Sequence, residues 1–354
     1  MAPAIQYPLR FRAAVLRTSE TPLALEDVVF AGPLQPGQVL VRVHFSGICG
    51  KQLEEISAST GPDRFLPHML GHEGSGVVVA TGGGVRKVAP GDHVVLQWVK
   101  GSGIESEKPL YSRASDGSRV NAGWITTFNQ YAVVSENRVT PIAKETPLKE
   151  ACLFGCAATT GVGAIVNDAR VQPGASVGIF GVGGVGLFAV QAAAMAQAQP
   201  IVAVDRHPEN LAIAQRLGAT HCILASAAVG DEIRLLTAGK GVYSAIVSSG
   251  SPAAVSSAID ASSTPGQVFL VGVPPANARI EIRPLDIHNR KQLYGSFGGG
   301  CVPDRDIPAY LDLMRSGRLR VSELISKTVR LDEINDGIAA VRSGIPGRCV
   351  VDLR

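Results

Sequence analysis

The chain has 354 residues, of which 45% are hydrophobic and 18% charged, and its 33 basic and 30 acidic residues leave a net charge of +3. This composition predicts an ordinary globular protein of two domains and excludes an intrinsically disordered chain. No basic stripe with interleaved aromatic residues supports nucleic-acid binding, and no apolar run reaches membrane-spanning length. The N-terminal residues lack the apolar core of a signal peptide, so we predict a cytoplasmic protein whose six scattered cysteines are thiols.

The first 150 residues predict a β-rich domain. Apolar or alternating segments occur at 12–16, 38–45, 74–80 and 93–97, separated by turns rich in glycine and proline. Many short strands with regular turns favour a partly closed barrel. The polar stretch 100–122 predicts a long loop, and 124–134 returns to strand character.

The segment 176–205 predicts a dinucleotide-binding unit. A short apolar strand leads into Gly181, Gly183 and Gly186, then into an alanine-rich helix and a second apolar strand that ends in Asp205, 19 residues after Gly186. Gly181 permits the tight turn, Gly183 lets the backbone approach a pyrophosphate, and Gly186 allows close packing of the helix. The predicted cofactor-binding loop comprises Gly181, Gly183, Gly184, Val185 and Gly186.

The acid at the end of the second strand bears on the choice of cofactor. Asp205 is expected to accept hydrogen bonds from ribose hydroxyls and to repel a 2′-phosphate, which favours NAD over NADP. Arg206 follows it directly and would soften that preference.

Repeating strand and helix signals follow the glycine loop. Further strands are predicted at 219–224, 242–248 and 267–273, and their alternation with helices predicts a parallel sheet covered on both faces. A helix at 307–316 and a closing strand at 348–353 lie outside this rhythm.

Three residues have the chemistry of zinc ligands: Cys49, His72 and Cys156. Two thiolates and one imidazole would leave a fourth position open for water or substrate, as in a catalytic zinc site. Their spacing alone does not decide this, because a lone cysteine is more often a small buried apolar residue. Cys152 is the main rival ligand, but we interpret it as a core residue, together with Cys222, Cys301 and Cys349.

The whole chain resembles the zinc-dependent medium-chain alcohol dehydrogenases. The resemblance rests on GICG (47–50), GHEGSG (71–76), PGDHV (90–94), CAATTG (156–161), the glycine fingerprint and an arginine before the last strand. It implies a GroES-like β-rich catalytic domain, at 1–154 and 296–354, and a Rossmann doubly wound parallel-sheet domain at 155–295. It also implies a homodimer or homotetramer.

The same resemblance implies roles for individual residues. Cys49, His72 and Cys156 would hold a catalytic zinc, with Glu73 as an occasional ligand. On the cofactor side, it implies contacts with NAD by Thr160, Val271 and Arg348, the last at the pyrophosphate.

Two departures from the family pattern stand out. No cysteine lies between Asp92 and Tyr131, so the thiolate site for a structural zinc that many relatives have is absent, and we predict one catalytic zinc only. Where relatives have Ser or Thr followed by Asp, this chain has Lys51 and Gln52, with Glu54 at the position of a relay His. Lys51 is either the proton acceptor in place of a hydroxyl, or an ammonium paired with Glu54.

We therefore predict an enzyme that transfers hydride between NAD and an alcohol or polyol, or reduces the corresponding aldehyde or ketone. One alternative is a zinc-free NAD(P)H reductase of the same fold, which the zinc ligands and Asp205 oppose. Another is a non-catalytic nucleotide-binding protein, supported only by Lys51 and Gln52.

Overall fold

The structure is a computed structural model that describes residues 5–59 and 61–354. The chain forms two compact units. The first contains the residues through Cys156, Val302–Asp312 and Ile325–Arg354, and the second contains Ala157–Cys301 and Leu313–Leu324. The domain limits expected from the sequence, near 154 and 296, differ from these divisions by a few residues, and the return of 313–324 to the second unit has no signal in the sequence.

In chain order the strands are β1 (Leu9–Leu16), β2 (Ala24–Phe30), β3 (Gln38–Ile48), β4 (His68–Met69), β5 (Gly74–Thr81), β6 (His93–Leu96), β7 (Tyr111–Arg113), β8 (Arg119–Val120), β9 (Tyr131–Ser135), β10 (Val139–Ile142), β11 (Val177–Phe180), β12 (Ile201–Asp205), β13 (His221–Leu224), β14 (Val242–Val247), β15 (Ser262–Leu270), β16 (Lys291–Gly295), β17 (Ile325–Arg330) and β18 (Arg348–Asp352). The α-helices are α1 (Gly50–Ile56), α2 (Leu148–Ala151), α3 (Ala157–Gly163), α4 (Gly184–Met195), α5 (Pro208–Arg216), α6 (Val229–Leu236), α7 (Pro252–Ala261), α8 (Pro284–His288), α9 (Pro303–Arg315) and α10 (Ile334–Arg342). Short 3₁₀ turns occur at Glu136–Arg138, Cys152–Gly155, Gly298–Gly300, Ser322–Leu324 and Leu331–Glu333, and a π turn at Ala164–Asp168.

The first unit contains two sheets and two apolar clusters, and strand β3 contributes side chains to both clusters. One sheet has the order β4-β1-β2-β7-β8, and the other has β10-β6-β5-β3-β18-β17 with β9 also paired to β3. Val39, Val41 and Val43 of β3 pack in one apolar cluster, whereas Leu40 packs in the other. Successive side chains of a strand point to opposite faces, so one strand supplies both clusters. These sheets are the β-rich domain expected from the sequence.

The C-terminal strand completes the second of these sheets. β18 pairs antiparallel with β3, and Cys349 lies opposite Ile48. This register places Arg348, the first residue of β18, close to the end of β3 where Cys49 follows.

The segment 100–122 is more ordered than the predicted loop. It contains β7 and β8, which pair with each other, and β7 extends the sheet beside β2. The expectation of a strand through 124–134 is wrong over most of its length, because β9 begins only at Tyr131.

Two carboxylates anchor the beginning of this segment. Glu136 accepts N–H groups from Arg86 (2.6 Å), Lys87 (2.8 Å) and Ile104 (2.7 Å). Asp304 accepts the Ser102 N–H at 2.5 Å and pairs with the Lys87 ammonium. Backbone donors bound to these two carboxylates thus crosslink the start of the segment to the rest of the unit.

The second unit contains a six-stranded, all-parallel sheet. Its order β13-β12-β11-β14-β15-β16 is that of the Rossmann fold, with the reversal of strand order between β11 and β14. Strands β11, β12 and β14 are almost entirely buried runs of Val, Ile and Ala, as a sheet covered on both faces requires. The carboxyl ends of β11 and β14 therefore form the crevice that dinucleotides occupy in this fold.

Among the described residues, no single helix is both long and apolar enough to cross a membrane. The bent pair Leu148–Gly155 and Ala157–Asp168 passes that test together, by length and composition only.

Candidate metal centre

Three segments of the first unit bring Cys49, His72 and Cys156 together. Cys49 follows β3 and forms the N-cap of α1, His72 lies between β4 and β5, and Cys156 ends the 3₁₀ turn Cys152–Gly155. Their ligand atoms all lie within 4.8 Å of one another. The structure therefore assembles the triad that the sequence could only propose.

A glycine makes this convergence possible. A Cβ at Gly155 would lie closer than 3.0 Å to the Leu96 carbonyl oxygen and to Glu73 Cα. Any larger residue there would push the chain that leads to Cys156 away from the segment that carries His72.

The donor set fits a zinc ion. A tetrahedral zinc with bonds of about 2.0–2.3 Å needs its ligand atoms within about 4 Å of one another, so only small movements would enclose the ion. His72 Nε2 is buried, and its ring contacts the Cys49 thiol, so this nitrogen faces the point on which the sulfur atoms converge. The pKa of the Cys49 thiol is well below its usual range, because hydrogen bonds with Cys156 and His72 favour the thiolate more than burial disfavours it. A thiolate is the form that binds metal.

Gln52 supports two of the three ligands. Its Oε1 accepts the Cys49 N–H at 2.8 Å, and its Nε2 lies 2.6 Å from His72 Nδ1. Gln52 is fully buried, so these contacts are shielded from solvent. The side chain that the sequence marked as a departure from the family pattern thus holds the imidazole by its second nitrogen.

Glu73 lies behind the metal centre in a buried ion pair. Its carboxylate contacts the Arg348 guanidinium, and the side chains of both residues are at most 5% exposed. The structure gives Glu73 and Arg348 each other as partners, so a contact of Arg348 with the pyrophosphate and ligation of zinc by Glu73 stay predictions.

Lys51 occupies the second of its two expected positions. Its ammonium lies 3.0 Å from Glu54 Oε2, on the same face of α1, and about a third of its side chain is exposed. The ion pair is the arrangement in which Lys51 is not the proton acceptor, although the relay role itself stays untested.

The sequence analysis missed Glu55. Burial raises the pKa of this carboxyl group, and the charges of His72, Lys51 and His68 oppose that rise. Glu55 lies three residues after Gln52 on α1, which is the helical spacing that could have identified it as facing the centre.

The other cysteines and histidines do not join the metal cluster. Cys152 donates its S–H to the Lys149 carbonyl at 3.1 Å, and burial raises its thiol pKa strongly. Cys301 and Cys349 are buried as expected, but Cys222 is exposed, so its assignment to the core is wrong. His68 is paired with Asp63 at 2.6 Å.

In the second unit, the glycine loop has the geometry that the fingerprint predicts. Gly181 adopts φ +86°, which only glycine tolerates readily in a tight turn. A Cβ at Gly186 would lie closer than 3.0 Å to the Gly181 carbonyl oxygen, whereas a Cβ at Gly183 would meet nothing within 4 Å. Gly186 therefore serves packing, and Gly183 faces open space at the N-terminus of α4, where a phosphate is stabilised by free N–H groups.

Asp205 connects this loop to the end of β12. Its Oδ2 accepts the Val182 N–H at 2.7 Å, and its Oδ1 accepts the His207 N–H at 2.9 Å. The Asn210 amide also donates to Oδ1 at 3.3 Å. A carboxylate offers about four acceptor positions, so one remains for a ribose hydroxyl. The neighbouring Arg206 donates to His207 Nε2 at 3.0 Å.

Two further cofactor candidates also lie in the second unit. Thr160 of α3 is buried, and its hydroxyl has no hydrogen-bond partner among residues 5–59 and 61–354. Val271 follows β15 and donates its N–H to the Val247 carbonyl at 2.9 Å, next to the carboxyl end of β14. Their contacts with NAD stay predictions.

Two family models match the chain. Residues 35–144 match the alcohol dehydrogenase GroES-like domain, and residues 184–316 match the zinc-binding dehydrogenase domain. An alcohol dehydrogenase class-3 of Cereibacter sphaeroides is 30% identical, and an S-(hydroxymethyl)glutathione dehydrogenase of Paracoccus denitrificans is 31% identical. Each alignment covers 97% of this chain and 100% of the relative.

Solved structures give the same result. An alcohol dehydrogenase zinc-binding domain protein from Burkholderia ambifaria superposes with a TM-score of 0.89 at 32% identity, over 98% of this chain and 99% of that one. A benzyl alcohol dehydrogenase from Acinetobacter calcoaceticus superposes with a TM-score of 0.87 at 28% identity, over 98% of this chain and 100% of that one.

Proposed function

The chain belongs to the zinc-dependent medium-chain alcohol dehydrogenase family, and we propose that it oxidises a neutral alcohol or diol with one zinc ion and NAD. The observation that carries the proposal is the convergence of Cys49, His72 and Cys156 on one point of the first unit. The zinc-free reductase and the non-catalytic binding protein both leave this convergence unexplained.

Zinc, when bound, would polarise the alcohol oxygen and lower its pKa, so that hydride transfer to the nicotinamide becomes possible near neutral pH. The chain's own residues prepare this step. Cys49 is held as a thiolate, Gln52 fixes the plane of the His72 ring, and the ion pair of Glu73 with Arg348 keeps the segment next to His72 in place.

Charge around the centre supports a neutral substrate. Helix α1 carries Glu54 and Glu55, and the Lys51 ammonium beside them is paired with Glu54. His68 is likewise paired with Asp63. Several relatives are S-(hydroxymethyl)glutathione dehydrogenases, and glutathione carries carboxylates. Acidic side chains on this helix disfavour such an anion.

We further propose one zinc per chain. The Glu136 and Asp304 contacts order the segment that would otherwise need a structural zinc, and no cysteine lies between Asp92 and Tyr131. Preference for NAD is supported by the carboxylate of Asp205 at the end of β12, which would repel a 2′-phosphate.

Zinc content tests the first part of the proposal. Elemental mass spectrometry of the purified protein should give about one zinc per chain, and Cys49→Ser should lose it. Cys152→Ser is the matched control, because Cys152 lies outside the cluster and its replacement should leave zinc in place. Wild-type protein that stays zinc-free in zinc-rich medium would refute the proposal.

A substrate panel tests the second part. Benzyl alcohol, 2,3-butanediol and S-(hydroxymethyl)glutathione should be compared by kcat/KM with NAD and with NADP. We expect a neutral alcohol to exceed the glutathione adduct, and an opposite order would refute the charge argument while leaving the zinc proposal intact.

The family resemblance also supports a homodimer or homotetramer. β16 forms an edge of the parallel sheet, and Leu285, Ile287 and Tyr294 near that edge are exposed apolar residues. Light scattering of the purified protein measures the state directly. Cytoplasmic location remains part of the proposal.

A further inference from the structure

The loop 296–300 lies at the edge of the parallel sheet where a dinucleotide binds in this fold. It follows β16, and the Ser296 N–H donates to the Leu270 carbonyl at 2.9 Å, so the loop adjoins the carboxyl end of β15. The fold has two mononucleotide-binding halves, and Asp205 at the end of β12 marks the half that takes the adenosine ribose. The half formed by β14, β15 and β16 therefore takes the nicotinamide, and loop 296–300 lies at its edge.

The backbone of this loop has an uncommon conformation. Gly298, Gly299 and Gly300 have φ values of +61°, +69° and +57°, which makes three left-handed residues in succession. Glycine tolerates this region of φ, but it loses more conformational freedom on folding than any other residue. Contacts from outside the loop are therefore needed to keep it in this form.

Asp168 provides such a contact through the side chain of Ser296. Its Oδ2 accepts the Ser296 O–H at 2.6 Å, and the Ser296 oxygen in turn accepts the Gly299 N–H at 3.2 Å. A hydroxyl has one proton and two lone pairs, so donation to Asp168 directs a lone pair toward Gly299. The neighbouring Asn167 donates to the Gly299 carbonyl at 3.2 Å. The N–H and the carbonyl of Gly299 are thus both held from residues 167 and 168, the N–H through Ser296.

The segment that carries Asp168 packs directly on the loop. Residues Ala164–Asp168 form a π turn, an irregularity that is frequent at functional sites. A Cβ at Gly163 would lie closer than 3.0 Å to the Gly299 carbonyl, and a Cβ at Gly300 would lie 2.7 Å from Asp168 Oδ1. Glycines on both sides of the contact allow this close approach, so a movement of the π turn would also move the loop.

From these contacts we propose that Asp168 and Ser296 are positioning residues for the nicotinamide of NAD. They act through loop 296–300 and not by touching the cofactor. They hold the loop in its left-handed form, so that its backbone groups keep fixed positions at the nicotinamide end of the crevice. The carboxamide of nicotinamide both donates and accepts hydrogen bonds, and groups that are already fixed lose little entropy when they bind it. This inference rests on the proposed use of NAD.

Calorimetric titration of the full-length, zinc-loaded protein with NADH and with ADP-ribose tests the proposal, because ADP-ribose lacks the nicotinamide. We expect Asp168→Ala to raise the Kd for NADH about tenfold and to change the Kd for ADP-ribose by less than about twofold. Asp168→Asn should restore most of the NADH affinity, since an amide oxygen can accept the Ser296 O–H. Asp260→Ala is the matched control: Asp260 lies in α7, just before β15 and at the opposite edge of the sheet, so its removal should change neither Kd.

A second variant keeps the test valid if Asp168→Ala fails to fold. Ser296→Ala removes the hydroxyl between Asp168 and the Gly299 N–H, so it should also weaken the binding of NADH and spare that of ADP-ribose. Equal losses for both ligands, or unchanged NADH affinity in either variant, would overturn the proposal, because these contacts would then serve the fold alone. Wild-type protein that does not bind ADP-ribose would refute the proposed use of NAD, and this inference with it.

Discussion

Replacing Gln52 with glutamate should strengthen zinc binding. In the structure the Gln52 amide satisfies the Cys49 N–H with its oxygen, so it presents its N–H to His72 Nδ1. Nδ1 must then be the unprotonated nitrogen, because it accepts this N–H. A neutral imidazole has one proton, which therefore lies on Nε2, the nitrogen that would bind zinc. Zinc binding at Nε2 moves the proton to Nδ1, so the Nδ1–H of His72 then faces the N–H of the Gln52 amide and neither has an acceptor. Glutamate of the same length would accept from both Cys49 and Nδ1.

The size of the effect follows from that conflict. A buried donor left without an acceptor costs about 1–3 kcal/mol, and one tenfold step in affinity is about 1.4 kcal/mol. Gln52→Glu should therefore bind zinc about 10- to 100-fold more tightly, the range in which partners of metal-bound histidines act. The zinc-free variant should melt at a lower temperature than the wild type, because the new carboxylate is fully buried near the Cys49 thiolate.

Competition with a chromogenic chelator measures the affinity, and thermal melting with and without zinc measures the stability. Gln52→Met is the control, since it fills a similar volume without hydrogen bonds and should bind zinc no more tightly than the wild type. Equal zinc affinities of Gln52→Glu and Gln52→Met would refute the hydrogen-bond reasoning.

Three further predictions concern other parts of the chain. Gly183→Val should raise the Kd for NAD about tenfold or more with little change in melting temperature, whereas Gly186→Ala should destabilise the fold by about 1–3 kcal/mol because its Cβ has no space. Glu136→Gln should lower the free energy of unfolding by about 2–3 kcal/mol at pH 7, because one of three N–H groups would lose its acceptor. Asp205→Ser should raise the ratio of kcat/KM with NADP to that with NAD about tenfold, by removing the charge that would face a 2′-phosphate.

Each of these three has a measurement that can contradict it. Fluorescence titration of NAD and thermal melting separate the glycine variants, and the reverse pattern would be inconsistent with the loop geometry. An unchanged cofactor ratio in Asp205→Ser would remove the carboxylate as the basis of selectivity.

The Glu136 variant also has a pH signature. Burial works to raise the pKa of Glu136, and the N–H groups of Ile104, Arg86 and Lys87 lower it by more, so the net shift is downward. A lowered pKa contributes stability above the unfolded value of about 4.3, and this stability is lost as pH falls through the folded value. Wild-type protein should thus lose stability below about pH 4.3 more steeply than Glu136→Gln, and parallel denaturation curves would contradict this.

The sequence by itself determined the features that depend on local spacing. Gly181, Gly183, Gly186 and Asp205 lie within one strand-turn-helix-strand unit, and the conformation of such a unit is set mostly by neighbours in the chain. The alternation of strands and helices fixed the parallel sheet in the same way. The three zinc ligands were proposed through the resemblance, because no spacing connects residues 49, 72 and 156.

Only the tertiary structure decided how side chains from distant segments meet. The orientation of the Gln52 amide depends on Cys49 and His72 together, and the Glu136 carboxylate takes its three N–H donors from segments 32 to 50 residues away in the chain. Residue type tells which hydrogen bonds a side chain can make, whereas the packing of remote segments determines which of them are made and which are left for a ligand.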